Sequence, residues 1–163
     1  MHPFHLFALQ LAHHLPGTWK AIHHWYTRPT HRSVDLWRVW PPPEARPALA
    51  DRLHAETLLG PDGRELYLVE HRQDRVLICP VIPYGIHEDI TGRIPAPPTV
   101  AAPRDPARAA WRVTDRVLPH YTTALTDARE AAEALYAPRA STPLFSSAAG
   151  TLRAPAGAEG RQR

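Results

Sequence analysis

The sequence predicts an α+β fold in which a small antiparallel sheet packs with one N-terminal and two C-terminal helices. Residues 55–82 read as a three-strand meander, because extended apolar runs alternate there with turn signals. Residues 3–15 and 120–136 each carry apolar side chains at helical spacing. A chain of 163 residues fits one domain, expected over 1–136, that buries roughly two-thirds of its unfolded surface.

From the N-terminus, Phe4, Phe7, Ala8, Leu11 and Leu15 fall on one face of a helix, which Pro16-Gly17 ends. Residues 19–26 fit two patterns. As a strand they place Trp19, Ala21, His23 and Trp25 on one side; as a helix they align Trp19, Ile22 and Trp25 or Tyr26. Aromatic enrichment and the β-branched Ile22 favour a strand, the candidate fourth of the sheet. Ser33 is placed to cap a short helix through residues 35–39, which Trp40 must leave because Pro41 follows it. Residues 44–53 can make another short helix.

In the meander, Gly60-Pro61-Asp62-Gly63 is a hairpin loop: Pro61 fixes φ for its first turn position and Gly63 accepts a positive φ. The middle strand has Leu66 and Leu68 on one face and Tyr67 and Val69 on the other, so both faces are expected to be covered. Pro80 lacks a ladder donor and puts the third strand at an edge or ends it. Residues 83–104 show no periodicity and read as a long connection. Asp105-Pro106 then opens a helix, Asp as N-cap and Pro at the first position. Pro119 interrupts, and a second helix over 120–136 carries the stripe Tyr121, Leu125, Ala128, Ala132 and Leu135. Residues 137–163, rich in Ala, Pro, Ser, Gly and Arg, read as a disordered basic tail.

Composition narrows the function classes. Eighteen arginines against one lysine, with no asparagine, match what GC-rich codons deposit, so arginine abundance by itself does not indicate nucleic acid. The net charge of +3 lies wholly in residues 137–163, and residues 1–136 are neutral. The single cysteine, Cys79, excludes an internal disulfide and reads as a small buried hydrophobe in a reducing compartment. The apolar start has no preceding Lys or Arg and stops at His13-His14, too short to span a bilayer, so a cytoplasmic protein without a membrane partner is expected. P-loop, GxGxxG, GxSxG, CxxC, HExxH and zinc-finger spacings are all missing. No cofactor is therefore implied.

Four patterns remain as candidate sites. Arg104, Arg108, Arg112 and Arg116 recur every fourth residue, the last three along one helix face, and can meet phosphates or an acidic protein. The competing reading is a solvated face. His87, Glu88 and Asp89 lie together in the long connection, where they could move protons or hold a cation. Eight of the eleven histidines fall in residues 1–54, but adjacent pairs such as His23-His24 diverge, so each pair offers one metal ligand at most. Trp19, Trp25, Trp37 and Trp40 crowd near Arg28, Arg32 and Arg38, the mixture that single-stranded nucleic acid stacks on, although a core needs large aromatics too. The leading expectation is a non-enzymatic binding module for a polyanion (nucleic acid) or an acidic protein, through Arg108, Arg112, Arg116 and the tail. A small enzyme or metal-dependent protein built on His87, Glu88 and Asp89 is one alternative. A self-associating protein that uses exposed aromatics is the other.

Overall fold

The meander extends further than the sequence suggests, into a five-stranded antiparallel sheet. A computed structural model describes residues 1–25, 37–40, 54–71 and 74–136. The strands are β1 (Lys20–Trp25), β2 (His54–Leu59), β3 (Glu65–His71), β4 (Arg75–Pro80) and β5 (Val100–Pro103), paired in chain order. The helices are α1 (Pro3–His14), the single turn α2 (Glu88–Thr91), α3 (Pro106–Arg112) and α4 (Leu118–Tyr136). Of the short helix expected at 35–39, residues 37–39 are described and are not helical: they form a turn that runs into an antiparallel bridge between Val39 and Val81, so the backbone there is held by the sheet region instead of by its own helical bonds. The helix read at 44–53 and the tail at 137–163 lie outside the described residues, as do Arg28 and Arg32.

Residues 19–26 resolve in favour of the strand. Register pairs His23 with Glu56, Glu56 with Leu68, Leu68 with Ile78 and Ile78 with Val100, so these five residues share one face. That face carries the main core: Leu58, Leu66, Leu68, Val76 and Ile78 pack beneath α1, α3 and α4. The opposite face buries a smaller cluster of Val39, Ala55, Tyr67, Val69, Cys79 and Val81. Both faces are thus covered, as two apolar faces require. Burial pushes the Cys79 thiol up to about 12, opposed by the Thr99 hydroxyl beside it.

The turns follow their chemistry. Asp62 and Gly63 take φ of 60° and 74° in the β2–β3 turn. Asp105 Oδ1 accepts from the Arg108 N–H at 2.8 Å, capping α3. Pro80 ends β4, but β4 is an inner strand, because β5 pairs with it. The connection at 83–104 therefore holds a strand and a helical turn that periodicity does not reveal: β5 is four residues of Val-Ala-Ala-Pro with little β propensity of its own.

At Pro119 the chain does not break. Residues Val113–Val117 form a π-turn between α3 and α4, with helical dihedrals at Arg112 and at Leu118. The wider turn carries the backbone past a proline that has no N–H to donate. Tyr121, Ala124, Leu125 and Ala128 are buried along α4, whereas Leu135 at its end is exposed. Tyr121 ties α4 to the sheet: its hydroxyl donates to the Val81 carbonyl at 2.6 Å and accepts from the Glu65 N–H at 3.0 Å. Burial pushes that hydroxyl up to about 12. Among the described residues no helix is long and apolar enough to cross a membrane.

Candidate metal centre

Glu56 is the one charged residue among the described residues that is fully buried. It sits mid-strand on β2, two residues before Leu58, so the pleat that sends Leu58 into the core sends Glu56 there too. A carboxylate without water needs hydrogen-bond donors or a cation. Two imidazoles surround it. The first turn of α1 brings His5, whose Nδ1 lies 2.8 Å from Glu56 Oε2. The cross-strand neighbour on β1 brings His23, whose Nδ1 is hydrogen-bonded to Glu56 Oε1. The other member of that pair, His24, faces the opposite side and bonds Thr57 Oγ1 at 2.9 Å.

Two more histidines complete the cluster. His2, the N-cap of α1, accepts from the Phe4 N–H through Nδ1 at 3.3 Å. Its ring stacks on His54, the first residue of β2, with centroids 4.1 Å apart. His23 lies 5.8 Å from each of these rings and 5.4 Å from that of His5. The exposed Trp25 packs edge-on against His54. One ligand atom each from His5, His23 and Glu56 lies within 4.8 Å of the other two. The His5 and His23 side chains are 22% and 25% exposed, so solvent and ions reach the imidazole side while the carboxylate stays dry.

Two nitrogens and a carboxylate oxygen form a donor set for a first-row divalent ion. Calcium and magnesium prefer oxygen alone. The three donors come from α1, β1 and β2, separated in sequence by up to 51 residues, so no local motif contains them.

The residues singled out in the sequence are dispersed. Arg104 pairs with Glu70 at 2.9 Å, and Arg112 turns back to donate to the Ala101 carbonyl at 2.9 Å. Arg116 stands 3.9 Å from Asp115, and Arg108 is exposed. Arg116 lies within the π-turn that follows Arg112, so the two no longer keep the four-residue alignment of an α-helix. His87 and Asp89 are exposed and meet each other, Nδ1 to carboxylate at 3.1 Å, and Glu88 opens α2. Trp19 and Trp40 are buried in the core, whereas Trp25 and Trp37 are exposed.

The chain matches no protein-family model, and no curated protein or solved structure is detectably similar to it.

Proposed function

We propose that this protein binds a first-row divalent metal ion, zinc foremost, through His5, His23 and Glu56. The observation that carries the reading is the convergence of two imidazole nitrogens on both oxygens of a fully buried carboxylate. A buried carboxylate with two imidazoles is electrostatically suited to a dication, which would replace the shared protons. Such an ion would clip the first turn of α1 to β1 and β2, joining segments 51 and 33 residues apart. Cross-links over loops of that length stabilise by restricting the unfolded chain. Calorimetric titration of the full-length chain with zinc tests the reading. One zinc per chain is expected, with Glu56→Gln and His23→Asn each weakening binding by more than about tenfold. A folded chain that takes up no zinc, or variants that bind like the parent, would contradict it.

A second reading rests on a different surface. Arg108 and Arg116 are exposed, and Trp111 between them is exposed as well. Arginine beside an unburied aromatic suits single-stranded nucleic acid, phosphate on guanidinium and base on ring. Retention on single-stranded DNA across a salt series tests it: affinity should fall steeply with salt and vanish in the Arg108, Arg112, Arg116 triple glutamine variant. Equal retention by parent and variant would reject it.

A further inference from the structure

We infer that a cleft at the Leu59 end of β2 binds an organic phosphate monoester. This site is independent of the metal centre, which lies toward the other end of the strand. The cleft measures about 550 Å³, and its lining includes Arg38, Arg64 and Arg129. It shares Arg38, Leu59, Glu65 and Tyr84 with an adjoining recess of about 260 Å³. These volumes suit a small organic molecule rather than a bare ion.

Charge selects the ligand class. Three guanidiniums face one lining carboxylate, Glu65, which is hydrogen-bonded to Arg38. Asp62 lies 3.5 Å from Arg64, but its carboxylate is mostly exposed. The surplus is two positive charges at the cleft wall, the complement of a phosphate monoester near neutral pH. A carboxylate ligand would balance only one of them.

The donors are held in place and not used up. Arg129 Nη2 donates to the Asp62 carbonyl at 2.6 Å, and Arg64 Nε to the Pro61 carbonyl at 3.2 Å. Each guanidinium has five N–H groups, so these bonds fix orientation and leave others for a ligand. The Arg38 Nε–H is buried and has no hydrogen-bond partner among the described residues. Arg38 is further fixed by stacking, its guanidinium carbon 3.5 Å from the centre of the Tyr84 ring. Tyr84 is itself exposed, and with Leu59, Pro83 and Ile86 it forms an apolar wall for the body of the ester.

Calorimetric titration of the full-length protein at fixed ionic strength tests the inference, with phenyl phosphate, benzoate and inorganic phosphate as probes. Phenyl phosphate should bind one-to-one, and the other two at least about tenfold more weakly, since each lacks either the second charge or the apolar body. Arg129→Gln and Arg64→Gln should each weaken phenyl phosphate by about tenfold, while Arg93→Gln, exposed and outside the cleft, leaves it unchanged. Circular dichroism melts confirm that each variant is folded. No binding of phenyl phosphate, benzoate or inorganic phosphate binding equally well, or indifference to both cleft substitutions would overturn the inference.

Discussion

Two glutamates lie toward opposite ends of β2, Glu56 on the strand itself and Glu65 across from Leu59 on β3, and the partners, not the acid, decide what each end can do. Glu56 is fully buried and meets imidazoles, which carry lone pairs and can exchange a shared proton for a metal ion. Glu65, at the start of β3 opposite Leu59, pairs with Arg38. Arginine has no lone pair to offer and keeps its charge. The first end therefore reads as a cation site. At the second Arg38 balances the charge of Glu65, and the further arginines Arg64 and Arg129 turn the cleft toward anions.

The largest expected effect breaks the first end. Glu56→Ala opens a void at a fully buried position and removes the acceptor of both imidazole hydrogen bonds, and should cost about 2–5 kcal/mol in urea unfolding. Glu65→Ala, at a partly exposed position, removes one ion pair to Arg38 and should cost only about 1 kcal/mol. Equal costs would erase the contrast. At the cleft, Gly60→Ala should cost about 1–3 kcal/mol, since the added Cβ would sit 2.5 Å from the buried Trp19 ring. That ring is anchored by its own bond to the Pro16 carbonyl at 2.9 Å. Tyr121→Phe removes both bonds of a buried hydroxyl beside Glu65 and should cost about 1–2 kcal/mol.

Alkaline titration probes a buried thiol and a buried hydroxyl. Cys79 and Tyr121 are both raised in the folded state, to about 12 from ordinary values of 9.0 and 10.0. The unfolded chain therefore releases its protons first. The stabilisation from both groups is complete well below pH 9 and is lost as pH rises toward 12, with about 2 kcal/mol lost by pH 10, most of it from Cys79. Urea midpoints at pH 8 and pH 10 measure it, and an unchanged midpoint would show that these groups are not buried as described. The smallest effects concern α3. Arg112→Gln loses its bond to the Ala101 carbonyl and should cost about 1 kcal/mol, whereas exposed Arg108→Gln should stay within about 0.5 kcal/mol.

What the sequence revealed depended on how local the cause was. The β2–β3 hairpin is written in Gly60-Pro61-Asp62-Gly63, the cap of α3 in Asp105-Pro106, and the buried face of α1 in the spacing of Phe4, Phe7, Ala8 and Leu11. β5 was not legible, because two alanines between valine and proline become a strand only when β4 offers its ladder. The π-turn was not legible either, since a proline in a helical pattern signals a break more often than a wider turn. The metal ligands were hidden by distance, their three segments meeting only after the sheet has formed. One local signal existed: Glu56 shares the strand face of Leu58, an acid placed where the alternation demands an apolar residue. His23 opposite it follows once 19–26 is taken as a strand.

X-ray absorption at the zinc edge, on full-length protein loaded with one equivalent of zinc, tests the metal assignment most directly. The account predicts a shell of nitrogen and oxygen donors at about 2.0–2.1 Å that includes the scattering signature of two imidazoles. That signature should weaken in His23→Asn. A shell of oxygen alone, or a spectrum identical in the variant, would contradict a site built from His5, His23 and Glu56.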